Sequence, residues 1–178
     1  KQIGTITGAV PEKTAAGYRF PAAMWSGQDF GPKEYGPKND PLSPPKLCAG
    51  VFTKAKGGRI TSSAEMSLVF DLPEPEAGKE AVLNLEGQDA VSRGAAPHHL
   101  KNKEITMMRI TLNGTVIYDG ECGFAIHNWS RREFKIPAGV LKKENNSLVI
   151  RNTGHARGAF VYCWILISDA QLQFPGQQ

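Results

Sequence analysis

Six side chains in two polar stretches carry the recognition chemistry of this sequence. His127, Asn128, Trp129 and Arg131 lie in the stretch Asp119–Arg132, and His155 and Arg157 in the stretch Asn152–Gly158. A flat indole can cover the C–H face of a sugar ring, while planar amide, imidazole and guanidinium groups fork onto neighbouring hydroxyls. The arginines would also pair bidentately with a carboxylate, which suits a uronic acid. Glycines at 120, 123, 154 and 158 let both stretches take tight paths. An ordinary reading stands beside each residue: Trp129 as a ring capping the edge of a sheet, Arg131 and Arg157 as solvated charges.

Catalytic groups are harder to assemble. Hydrolysis of a glycosidic bond needs two carboxylates about 5–10 Å apart across it. Asp119, Glu121 and Glu133 surround the first loop without forming a paired-acid strand motif. A β-elimination would need a Tyr or His base with an Arg on the uronate, and no spacing brings His127, Arg131 and Tyr162 together. G-x-S-x-G, H-E-x-x-H and Gly-rich phosphate loops do not occur. The chain therefore reads as a binding module without catalysis. His98 and His99 are adjacent, so in extended chain they point apart. No cofactor is expected; a structural calcium held by Glu86, Asp89 or backbone carbonyls is the one metal left open, without any D-x-D-x-D-G loop. None of the three cysteines falls in C-x-x-C spacing. Cys163 reads as a small core residue; a Cys122–Cys163 or Cys48–Cys122 bridge is the alternative in an exported protein.

The elements that must hold the two loops follow a period of two. Met66, Leu68, Phe70 and Leu72 alternate with polar positions up to Pro73, and Ala81, Leu83 and Leu85 do the same. Met108, Ile110 and Leu112 lead into Asn113-Gly114, the strongest two-residue hairpin signal, and Val116-Ile117-Tyr118 returns antiparallel. Phe134 and Ile136, then Leu148 and Ile150, mark two further strands. Phe160, Tyr162, Trp164 and Leu166 are assigned to one buried face that Ala170, Leu172 and Phe174 continue, with a bend or bulge at Ser168-Asp169. Gly87–Asn102 reads as a long loop. About eight or nine short strands bounded by turns predict an all-β fold, an antiparallel jelly-roll-like β-sandwich.

Residues 1–46 differ. Seven prolines, at 11, 21, 32, 37, 41, 44 and 45, argue against ladder or helix. Yet Tyr18, Phe20, Met24, Trp25, Phe30 and Tyr35 are too many aromatic and large apolar groups for a free linker. The expectation is an extended Pro/Gly-rich arm over residues 1–46 packed on a sandwich domain over 47–175, with Trp25 as an anchor and Ile3–Thr7 as an edge strand. A chain of 178 residues suffices for one domain with a real core. A net charge of +4 falls far short of a nucleic-acid-binding stripe, and no apolar run is long enough to cross a bilayer.

The string I-T-L-N-G…W-S-R-R-E-F-K-I-P-A-G-V-L-K-K-E-N-N-S-L-V-I-R-N, closed by W-I-L-I-S-D-A-Q-L-Q-F, resembles galactose-binding-like β-sandwich modules of polysaccharide-degrading enzymes. It is most similar to the carbohydrate-binding-module-like C-terminal domain of rhamnogalacturonan lyases (polysaccharide lyase family 4). The resemblance spans roughly Cys48–Phe174, and F-x-I-P-A-G-V-L-x-x-x-x-N-x-L is its specific part. It implies a secreted, periplasmic or cell-surface module that faces plant-type polysaccharide, acidic pectic polymers included, beside a catalytic domain. A structural module packed between domains, with an apolar patch near Trp25 and Phe30, is the competing expectation, and an uncharted polysaccharide lyase the third.

Overall fold

The structure, a computed structural model, describes residues 11–27, 30–56, 59–63, 65–73, 76–91, 106–155 and 162–176. Its strands are β1 (Glu12–Thr14), β2 (Gly17–Pro21), β3 (Ser26–Gly27), β4 (Phe30–Tyr35), β5 (Lys46–Lys56), β6 (Arg59–Ser63), β7 (Glu65–Phe70), β8 (Ala81–Val91), β9 (Thr106–Leu112), β10 (Thr115–Glu121), β11 (Ser130–Ile136), β12 (Asn146–His155) and β13 (Tyr162–Gln173). A short 3-10 turn lies at Ala22–Met24, and no helix among the described residues is long and apolar enough to cross a membrane.

The strands form two antiparallel sheets. The smaller runs β10-β9-β12-β7-β3. The larger is organised by β13, which pairs along one side with β8 and through it with β11. Along its other side β13 pairs first with β5, from Tyr162 to Ile167, and then with β2, from Asp169 to Gln173. The core lies between the sheets: Leu83, Leu85, Phe134, Ile165, Ile167 and Leu172 of the larger meet Met66, Leu68, Met108, Ile110, Leu148 and Ile150 of the smaller. Phe20 and Phe70 span the gap, with ring centroids 4.7 Å apart. The expected β-sandwich is present. Asn113 and Gly114 take φ values of 52° and 81°, as the hairpin signal requires.

Several expectations need correction. Among the described residues there are thirteen strands, not eight or nine, because the proline-rich arm itself is woven into the sheets. Tyr18, Phe20 and Trp25 are buried from within or beside β2, and Trp25, 3% exposed, donates its indole N–H to Phe20 O at 3.4 Å. The prolines fall at a strand end and on an edge: Pro21 closes β2, and Pro32 lies in β4, an edge strand paired with β5 across a register shift between Phe30 and Lys33. The apolar patch near Trp25 is therefore not formed by that ring. β8 runs on to Val91, into the expected loop, whose remainder lies outside the described residues, as do His98, His99 and Ile3–Thr7.

The bulge on β13 was placed correctly, but its consequence was not. The register shifts between Ile167 and Asp169, so one extra residue turns the alternation over. Ile165 and Ile167 face the main core, as do Ala170 and Leu172, whereas Leu166 and Trp164 face outward. There Leu166, Cys48 and Ala90 form a second small cluster, covered by Tyr35, Trp129 and Trp164. Cys48 and Cys122 are buried in different clusters and neither forms a disulfide, so neither expected bridge exists. Burial pushes the Cys48 thiol up to about 12, against a smaller opposing pull from Lys33.

Candidate functional site

The outward face of the larger sheet is assembled by the same alternation that fills the core. With Leu83 and Leu85 turned inward, Asn84 and Glu86 of β8 must point out, and with Phe134 inward, Glu133 and Arg131 of β11 do likewise. Register then aligns them across strands. One row runs Glu133, Asn84, Gln171 and Arg19; the next runs Arg131, Glu86 and Asp169. Neighbouring strands stand about 4.8 Å apart, so the rows make a lane long enough for a few sugar units. A shallow hollow of about 160 Å³ lies in it, lined by Asn84, Glu86, Arg131, Glu133, Asp169 and Gln171 among others.

Its charges alternate and hold one another in place. Arg19 Nε donates to Asp169 Oδ1 at 2.9 Å, and Gln171 Nε2 to Asp169 Oδ2 at 3.1 Å. Lys46 Nζ donates to Glu86 Oε1 at 2.6 Å and Ser168 Oγ to Glu86 Oε2 at 2.8 Å. Burial works against the charged form of Glu86, yet these two donors outweigh it and keep the carboxylate below its usual range, with help from Arg131. The amide nitrogen of Asn84 is screened from solvent and has no hydrogen-bond partner among the described residues. Fixed planar amides and carboxylates of this kind can fork onto vicinal hydroxyls.

Trp129 stands at one end of the lane. Its indole N–H donates to Pro44 O at 2.9 Å, and the Lys46 ammonium lies 5.5 Å from the ring centroid. Lys46 thus joins the ring to Glu86, and Glu86 in turn feels Arg131. The segment before β5 is fastened over this end: Ser43 is fully buried and accepts from Gln88 Nε2 at 2.8 Å. Of the six residues predicted from sequence, the structure brings Trp129 and Arg131 to one polar face. His127 takes a positive φ of 57° in the adjacent turn and its amide donates to Asp89 O at 2.9 Å; Asn128 beside it is exposed. The backbone of His155 ends β12, while its side chain and Arg157 lie outside the described residues. Arg19, Asn84, Asp169 and Gln171 were not foreseen, since polar positions on alternating strands look like any solvent face; Glu86 and Glu133 had been considered only for calcium and for catalysis.

Asp119 and Glu133, two of the acids considered for catalysis, do not converge. Asp119 is held by Arg109 on the smaller sheet, whereas Glu133 belongs to the lane on the larger one. Nor do the two acids considered for calcium. Glu86 points outward to Lys46, and Asp89, three residues on, points to the other side, where Thr106 Oγ1 donates to its Oδ1 at 3.0 Å. Among the described residues no three His, Cys, Asp or Glu side chains cluster to hold a metal.

Asp89 pins the Trp129 loop from beneath: its N–H donates to Ala125 O at 3.1 Å, and its carbonyl accepts from His127. Burial raises its carboxyl to about 6, against the Thr106 hydrogen bond. The folded value exceeds the unfolded one, so between roughly pH 4 and 6 the folded chain holds a proton that the unfolded chain has released. The contribution of Asp89 to stability is accordingly greatest below that window and falls as pH rises through it. We expect the stability of the natural chain relative to Asp89→Asn to drop by on the order of 2 kcal/mol between pH 4 and 7. Urea melts of both proteins at several pH values check this; a difference that stays flat with pH counts against it.

No family model matches the chain, and no curated protein does. Solved structures similar to it include a family 35 carbohydrate-binding module from Clostridium thermocellum, 11% identical, covering 85% of this chain and 95% of that one at a TM-score of 0.42. The CBM22-1 xylan-binding domain from Paenibacillus barcinonensis is 10% identical, covering 88% and 92% at 0.44. A Stig cyclase from Fischerella sp. TAU, solved with an indole compound, is 12% identical, covering 90% and 92% at 0.47. Binding modules and a cyclase alike appear at such scores, so the likeness leaves the ligand of this chain open.

Proposed function

We propose that this chain is a non-catalytic carbohydrate-binding module of an exported polysaccharide-degrading system, whose glycan lies along the polar lane of the larger sheet with Trp129 at its end. The observation that carries this reading is the lane itself: two aligned rows of planar hydrogen-bonding side chains across adjacent strands, ending at an aromatic ring. Such a surface offers paired donors and acceptors for hydroxyls and one flat apolar face. Arg131 makes no hydrogen bond among the described residues, so a uronate on the bound glycan would find an available fork there. This favours acidic, pectic polymers over neutral ones.

Isothermal titration with oligosaccharides of galacturonan, rhamnogalacturonan, galactan and xylan tests the reading. Trp129→Ala should weaken binding of every glycan that binds by about tenfold, the equivalent of about 1.4 kcal/mol. Arg131→Gln should weaken only the acidic ones. No heat and no spectral shift with any of the four would reject glycan binding, and equal losses for neutral and acidic glycans on Arg131→Gln would reject the acidic preference.

A further inference from the structure

The outer face of the smaller sheet holds a second arrangement, built on different residues and independent of the lane. Four adjacent strands place Glu65, Arg151, Arg109 and Asp119 in one row: β7 pairs Glu65 with Arg151, β12 pairs Arg151 with Arg109, and β9 pairs Arg109 with Asp119. Two arginines directly opposite each other on one face repel, and like pairs in that position ordinarily cost stability.

Here the flanking acids draw them apart. Arg109 donates through Nε at 3.1 Å and Nη2 at 2.6 Å to Asp119 Oδ2. Arg151 donates through Nε at 3.0 Å and Nη2 at 2.5 Å to Glu65 Oε2. Each guanidinium is thus held on the side away from the other, and the Nη1 of each has no hydrogen-bond partner among the described residues. Between them opens a hollow of about 190 Å³, floored by the cross-strand pair Thr111 and Val149. Its walls are the two oriented cations, with Glu65 lining it beside Arg151, while Asp119 stands outside it. The floor supplies one hydroxyl and one branched apolar face.

We propose that this hollow is a binding site for the oxyanion group of an acidic saccharide, a uronate carboxylate or a sulfate ester, bridged between Arg109 and Arg151. An anion there relieves the repulsion between the two guanidiniums, and each cation, already fixed by its acid, loses little freedom on binding. Guanidinium recognises such groups by paired parallel hydrogen bonds, which an ammonium of equal charge cannot supply. Both side chains are about half exposed, at 45% and 51%, so the site is open to a polymer and weakened by salt.

The test is a titration of the full chain with trigalacturonate, with glucose 6-sulfate and with neutral galactobiose, following the Nε–Hε resonances of the arginines. Resonances of Arg109 and Arg151 should move together with one or both anionic sugars and stay still with galactobiose. The arm that moves them identifies carboxylate or sulfate as the preferred group. Arg109→Gln and Arg151→Gln should each reduce the affinity at least tenfold, and Arg109→Lys with Arg151→Lys should do so although charge is kept. Trp129→Ala and Arg131→Gln should leave these shifts unchanged, which separates the site from the lane. Still resonances in both anionic arms, equal movement with galactobiose, or full affinity in the double Lys protein would overturn the proposal; the titration of the unaltered chain decides even where a variant folds poorly.

Discussion

Gly17→Ala is expected to destabilise the fold by at least about 3 kcal/mol, because a Cβ at this position would meet the backbone of the neighbouring strand. Gly17 pairs with Gln173 at the end of β13 and has a φ of 150°. An added Cβ would lie 1.9 Å from Leu172 O and 3.0 Å from its carbonyl carbon. Those atoms belong to a ladder and cannot swing aside as a side chain does, so either β2 separates from β13 or the end of β13 bends. Separation would draw Tyr18 and Phe20 from the core. For a chain of this size such a loss lowers Tm by about 10 °C. Gly139→Ala is the control. Its φ of 84° is also positive, but nothing lies within 4 Å of the added carbon, so only the backbone penalty of about 1 kcal/mol remains. Thermal melts of the two proteins that coincide would refute the steric account.

Asn146→Leu should cost about 3–5 kcal/mol despite adding an apolar group to a buried position. Asn146 is fully buried and uses both ends of its amide. Oδ1 accepts from Lys142 N at 2.8 Å and from Asn113 Nδ2 at 3.0 Å; Nδ2 donates to Lys142 O at 2.7 Å and Phe70 O at 3.3 Å. Asn113 completes the connection by donating to Val140 O and accepting from Ser147 N. One amide thus ties the β9–β10 hairpin, the turn before β12 and the end of β7 together. Leucine satisfies none of these partners, and each orphaned buried group costs about 1–3 kcal/mol. Chemical denaturation measures the loss, and a Leu variant within 1 kcal/mol of the natural chain would show that water reaches the turn.

Much of the smaller sheet was legible in the sequence because its strands alternate cleanly and are joined by chemically specific turns. Met66 to Phe70, Met108 to Leu112, and Leu148 with Ile150 all face the core as their spacing required. The larger sheet was legible only in part. Its β2 ends on a proline and β4 contains one, and sequence cannot say that Pro32 would fall on an edge strand. At Ser168 a single inserted residue exchanges the two faces of β13, so Trp164 and Leu166 left the core to which parity had assigned them. The candidate site divides the same way. Trp129 and Arg131 stand out as residue types, whereas Asn84, Asp169 and Gln171 gain meaning only when register sets them side by side across strands distant in sequence.

The position of β13 also bears on how this protein is made. Residues 162–173 supply a partner edge to β8, β5 and β2 at once, and β2 begins at Gly17. While a ribosome is still extending the chain, three ladders emerge with bare donors and acceptors and must wait until the last of them can close. Pairing across so great a separation is slow, and open strand edges invite the wrong neighbour. Nascent chains stalled before Tyr162 should therefore remain sticky and protease-sensitive until residues 162–173 have emerged.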